Sequence, residues 1–121
     1  MTTTQLDKAR AFRDLHREGC FVIPNPWDAG SARLLAEMGF AALATSSGAA
    51  AGVLGRRDGE LTRDEALAHV RAIAAATDLP VAGDLENGFG DAPEDAALTI
   101  RLAAEAGLVG GSIEDAGGVH D

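Results

Sequence analysis

SARLLAEMGFAALATS, residues 31–46, and TIRLAAEAGLVGGSIE, residues 99–114, align without a gap. Arg, Leu, Ala, Glu and Gly coincide at positions 33/101, 34/102, 36/104, 37/105 and 39/107. Each stretch reads as a helix, a glycine stop and a short apolar strand. Such a unit cannot bury its apolar faces alone, so neighbouring units must stack side by side. Any helix packed on a parallel strand drifts toward this composition, but five identities in register favour true repetition.

The rest of the chain alternates in the same way. Residues 5–18 predict a helix, with Thr4 as N-cap and Gly19 as the stop. CFVIP, residues 20–24, reads as a first strand closed by proline. A helix starting at Asp28 or Ser31 runs to Met38, and FAALATS, residues 40–46, is the second strand. A glycine-rich loop is expected over 47–61. Thr62 and Glu65 form a capping box that opens a helix to about Thr77. PVAGDLE, residues 80–86, is the third strand; a helix with Pro93 in its first turn then runs to about Ala106. LVGGSIED, residues 108–115, is the fourth strand. Strands alternating with helices imply a parallel sheet with crossover helices. Both an open doubly wound sheet and a (β/α)8 barrel accept this pattern. The barrel needs about 250 residues, so four strands in 121 residues would be half of one.

Composition narrows the function. Ten Lys and Arg against 19 Asp and Glu give a net charge of -9, which leaves no basic surface for nucleic acid. The single cysteine, Cys20, cannot form an internal disulfide; it reads as a core residue in a reducing, cytoplasmic protein. No apolar run approaches membrane-spanning length, and the start of the chain lacks the pattern of a signal peptide. The lone lysine, Lys8, sits in the first helix, which argues against Schiff-base chemistry. No phosphate-binding glycine fingerprint is present. His16 and His69 read as surface residues of helices.

Acidic residues carry the chemistry. Along the third strand Ala82, Asp84 and Glu86 face one way and Val81, Gly83 and Leu85 the other. The Leu85 side suits the helix layer; the Asp84 side would face a barrel interior at the C-terminal ends of the strands, where barrel active sites lie. Glu114 ends the fourth strand and Asp58 lies in the loop after the second. Asp58, Asp84, Glu86 and Glu114 could thus meet at one rim. Oxygen ligands without a Cys or His cluster suit Mg²⁺ or Mn²⁺. The alternative is that they are solvated turn residues. TSSG, residues 45–48, offers hydroxyls and N–H groups to an anion, or is small only for packing. Trp27 walls a pocket or merely starts a helix, and Phe89 is a pocket wall or a packing anchor.

NPWDAGSARLLAEMGFAALATSSGAAAGVLGRRDGELT, DLENGFGD and GGSIEDAGG together resemble the isocitrate lyase/phosphoenolpyruvate mutase superfamily, in order and spacing over about residues 10–116. The resemblance implies an α/β fold of the (β/α)8 TIM-barrel type. Residues 1–121 would be its N-terminal half, an incomplete domain. It implies Mg²⁺ (or Mn²⁺) and a small 2-oxo or enolate carboxylate or phosphonate as partner. The chemistry would make or break a C–C or P–C bond through an enolate-like intermediate. The family's Asp-x-Asp motif falls on Asp84-Leu85-Glu86, with Glu in place of the second Asp. Asp84 would be the main metal ligand, and Glu86, Asp58 and Glu114 would complete the ion's ligand and water shell. Thr45, Ser46, Ser47 and Gly48 would hold the substrate, with Trp27 beside them. No catalytic acid or base is assigned. The lyases' Lys-Arg-Cys-Gly-His loop is not matched, since His120 and Asp121 stand where Lys and Arg are expected; this favours the mutase-like branch. The alternative function is a non-catalytic half-barrel that folds or works only as a homo-oligomer or with a missing C-terminal half.

Overall fold

The structure is a computed structural model, and it describes residues 3–116. Helix α1 spans Gln5–Leu15, α2 Ala29–Glu37, α3 Ser47–Val53, α4 Arg63–Ala75 and α5 Pro93–Glu105. Strands β1 (Leu43–Ala44), β2 (Val81–Asp84) and β3 (Gly110–Ser112) form one parallel sheet in the order β1-β2-β3. Leu43 pairs with Val81, and Ala82, Gly83 and Asp84 pair with Gly110, Gly111 and Ser112.

Local chemistry starts the helices. Thr4 and Asp7, Asp28 and Ser31, and Thr62 and Glu65 form reciprocal capping boxes at α1, α2 and α4. Each box satisfies two N–H groups that a bare helix end would leave unpaired. The two sequence repeats close alike. Met38 N–H and Ala106 N–H bond the carbonyls of Leu34 and Leu102, and Gly39 and Gly107 follow at φ of +95° and +106°. A side chain at such φ would be strained, which is why both helices stop at glycine.

The core lies between the sheet and the helices. Leu43, Val81, Leu85 and Leu108 from the strand segments meet Ala32, Val70, Ile73 and Ala103 from the helices. Gly83 is buried on the same side, and a Cβ there would collide with the Leu108 side chain. Helix α1 buries no residue of its own. It is tied on by Gln5 Nε2, which donates to Ala104 O at 2.7 Å, and by Lys8 Nζ, which donates to Thr77 O at 2.8 Å.

Three expectations are corrected. The sheet has three strands among the described residues, because 20–24 forms no strand. That segment contributes a backbone bond from Ala44 N to Pro24 O at 3.1 Å, too little to make a ladder. Cys20 is therefore exposed rather than in the core. The start of the expected loop over 47–61 is instead helix α3. Ser46 caps it through Ala49 N, and Ala50 and Ala51 pack on Leu61. His120 and Asp121 lie outside the described residues. No helix among the described residues is long and apolar enough to cross a membrane.

Gly83→Ala should lower stability by about 1–3 kcal/mol through overpacking, read as a lower urea midpoint with an unchanged slope. The capping carboxylates set a pH dependence. The Thr4 hydroxyl and N–H hold Asp7 below its ordinary pKa; the Ser31 N–H and hydroxyl do so for Asp28; the Thr62 N–H, then Arg56, do so for Glu65. Their stabilisation is complete above the unfolded-state carboxylate values near pH 4 and is lost as pH falls through the lower folded-state values. Thermal melts should show a falling Tm over that window, with Glu65→Gln flattening part of it.

Candidate functional site

Strand alternation places the site. Val81, Gly83 and Leu85 are buried against the helix layer, whereas Ala82 and Asp84 are half-buried on the other face. Asp84 is the last residue of β2, so its carboxylate sits at the C-terminal mouth of the sheet. There the Ser47 N–H donates to Asp84 Oδ2 at 2.8 Å and the Glu86 N–H to Oδ1 at 3.2 Å. Asp84's own N–H donates to the buried Thr45 Oγ1 at 3.0 Å. Two charge-assisted N–H bonds fix the orientation of this carboxylate.

Beyond Asp84 the chain turns sharply. Glu86 and Phe89 adopt φ of +52° and +59°. Each left-handed non-glycine residue costs about 1–2 kcal/mol, so the turn must be held from outside. Glu86 O accepts Glu114 N–H at 2.7 Å, which ties the turn to the chain after β3. Gly88 N–H donates to Leu85 O at 2.9 Å, and Phe89 N–H to Asn87 Oδ1 at 3.0 Å.

Two concavities open here. A cavity of about 10 Å³, lined by Thr45, Ser46, Ser47, His69, Asp84 and Glu86 among others, has room for roughly one water. A cleft of about 450 Å³ is lined by Ser47, Asp58, Glu60, Glu86, Asn87, Phe89 and Glu114 among others. Ser47 and Glu86 line both. Asp58 lies over Gly48, its Oδ2 3.8 Å from where a Cβ there would sit. Thus Asp58, Glu86 and Glu114 share one cleft, and Asp84 and Glu86 share the cavity beside it. Among the described residues, no three of His, Cys, Asp and Glu approach closely enough to hold a metal ion directly.

The TSSG segment is partly engaged already. Thr45 Oγ1 accepts from Asp84 N–H, Ser46 Oγ caps α3, and Ser47 N–H binds Asp84. The Ser47 hydroxyl makes no hydrogen bond to the described residues. Trp27 is 60 % exposed at the start of α2 and lines neither concavity. Its N–H donates to Ser31 Oγ at 2.8 Å, and its carbonyl pairs with His69 Nε2 at 2.7 Å. Phe89 does line the cleft.

His69 belongs to this region although it reads as a surface residue in the sequence. It is half-buried, three residues after the buried Ala66 and beside the buried Val70 on α4. That helical spacing was the available signal. Arg63 was also missed; it is half-buried at the start of α4, three residues before Ala66.

The family model described as phosphoenolpyruvate phosphomutase matches residues 12–121. The 2-methylisocitrate lyase of Escherichia coli K12 is 36 % identical over 109 residues, covering 88 % of this chain and 37 % of its own. A solved protein of Burkholderia cenocepacia J2315, provisionally assigned as a lyase/mutase, is 61 % identical with a TM-score of 0.91, over 93 % of this chain and 41 % of that one. The phosphoenolpyruvate phosphomutase of Streptomyces platensis subsp. rosaceus is 30 % identical with a TM-score of 0.80, over 88 % of this chain and 38 % of that one. The chain therefore spans well under half the length of these relatives.

Thr45→Val preserves shape but removes the acceptor for Asp84 N–H. It should cost about 1–3 kcal/mol, measured by urea unfolding, and Thr45→Ser should recover most of the loss.

Proposed function

Because the chain belongs to the phosphoenolpyruvate phosphomutase family, within the phosphoenolpyruvate mutase/isocitrate lyase superfamily, we propose that it carries the metal-binding part of an enzyme acting on a small carboxylate or phosphonate. Its parallel strands and helices are part of that superfamily's (β/α)8 barrel. The observation that carries the reading is the grouping of Asp84, Glu86, Asp58 and Glu114 around adjoining concavities at the C-terminal mouth of the sheet.

The donor set fits a hydrated ion rather than a fully ligated one. Mg²⁺ commonly takes one or two carboxylates and keeps several waters. Asp84 would bind the ion directly, and Glu86, Asp58 and Glu114 would hold its waters. Oxygen donors alone suit Mg²⁺ or Mn²⁺ over zinc. When bound, the ion would supply positive charge for an enolate-like oxygen, easing C–C or P–C bond chemistry next to a carboxylate.

The chain's own residues do the positioning. Ser47 N–H and Glu86 N–H fix the Asp84 carboxylate. The Ser47 hydroxyl, on the wall shared by cavity and cleft, would donate to the substrate's carboxylate or phosphonate. Gly48 leaves the space beside Asp58 open. Phe89 would shield one side of the cleft from water.

A second reading, a half-barrel that works only in association, is favoured by large apolar side chains left exposed. Leu34 on α2 and Met38 just after it are 62 % and 64 % exposed, and Ile100 on α5 is 48 % exposed. Sedimentation velocity distinguishes it: self-association supports this reading, and a compact monomer at all concentrations opposes it.

Calorimetric titration with Mg²⁺ tests the first reading. One saturable site is expected, lost in Asp84→Ala and weakened about tenfold in Glu114→Gln. No binding by the folded wild-type chain would overturn it.

A further inference from the structure

The guanidinium of Arg63 reaches from α4 to α5 and pairs with no carboxylate among the described residues. Its Nε donates to Thr99 Oγ1 at 2.9 Å, and its Nη2 donates to Phe89 O at 3.2 Å and Asp95 O at 3.4 Å. Thr99 is fully buried, and its hydroxyl passes the contact on by donating to Gly88 O at 2.6 Å. Arg63 begins α4 and Thr99 lies in the middle of α5. The two helices thus reach the same turn from one side, and both grip its carbonyls.

What they grip is the strained part of the site. Gly88 and Phe89 lie two and three residues after Glu86, and Glu86 and Phe89 are the non-glycine residues at positive φ among those described. Gly88 itself has φ of +89°, and a Cβ there would press on Ala96 of α5 at 3.0 Å. Close backbone approach to α5 and an external hold on two successive carbonyls are what keep an unfavourable turn populated. On the opposite side, Glu86 is anchored through Asp84 Oδ1 and Glu114 N–H. The turn is therefore clamped from both ends, one of them outside the cleft.

We propose that Arg63 and Thr99 are positioning residues for Glu86: through the carbonyls of Phe89 and Gly88 they hold the left-handed turn that keeps Glu86 on the wall shared by the cavity and the cleft. The role of Glu86 as a holder of metal-bound water rests on the proposed function; the clamp itself does not. Arginine suits the task because its planar fork spans Thr99, Phe89 and Asp95 together, which a lysine ammonium on a flexible stem does not.

The experiment compares wild type with Arg63→Met, Arg63→Lys, Thr99→Val and Thr99→Ser. Ile73→Val, a change in the main core on α4 that lines neither concavity, serves as a matched destabilised control. Amide hydrogen exchange of the metal-free chain reads the turn, and Mn²⁺ binding, at a temperature where every variant stays folded, reads the site. In Arg63→Met and Thr99→Val the amides of Glu86, Gly88 and Phe89 should exchange about tenfold faster, with Mn²⁺ affinity falling about tenfold. Thr99→Ser should behave as wild type, Arg63→Lys should recover only part, and Ile73→Val should change neither selectively. Unchanged exchange at the turn, or the same change in Ile73→Val, would overturn the clamp. Faster turn exchange with no Mn²⁺ binding even in wild type would leave the clamp standing and overturn the metal reading. Faster exchange with unaltered Mn²⁺ affinity would overturn the link from the clamp to Glu86.

Discussion

Everything at the mouth of the sheet follows from the alternation along β2. Leu85 must enter the core, so Asp84 must face away from it. A slip of one residue would bury the carboxylate among Val70, Ile73 and Leu108 and expose the leucine, which the core cannot tolerate. Because β1 and β3 run parallel to β2, their C-terminal continuations finish on the same side. Thr45 and Ser47 arrive from one flank and Glu114 from the other. Strand register brings these three distant pieces of sequence together.

The price of a half-buried carboxylate is offset locally. Asp84 draws on Ser47 N–H at the start of α3, while its backbone N–H leans on Thr45. The Ser47 N–H is thereby taken, while the Ser47 hydroxyl, which bonds none of the described residues, keeps its donor for a ligand. Behind this layer, Arg63 and Thr99 support the strained turn after β2 from the helix side. Site and scaffold are therefore not separable here; the turn that presents Glu86 is also a packing contact between α4 and α5.

Much of this was legible in the sequence because it is local. The repeat showed that 31–46 and 99–114 would fold alike, and both glycines sit left-handed at the ends of α2 and α5. Thr62-x-x-Glu65 gave the start of α4, and period-two alternation gave the two faces of β2. The misses have different causes. CFVIP has strand composition, but composition does not supply a partner, and Val22 is 69 % exposed as a result. Glycines at 48 and 52 masked the helix of α3, whose alanines and Ser46 cap outweigh them. Arg63 and Thr99 meet across 36 residues. Nothing within either helix announces that contact.

The central claim is that acidic groups gathered by strand register hold one divalent cation. A crystal of this chain grown with Mn²⁺ and measured for anomalous scattering tests it most directly. The account requires a single strong peak at bonding distance from Asp84, with Glu86, Asp58 and Glu114 reaching the ion's waters. A peak elsewhere on the surface, or none at saturating Mn²⁺, would contradict it.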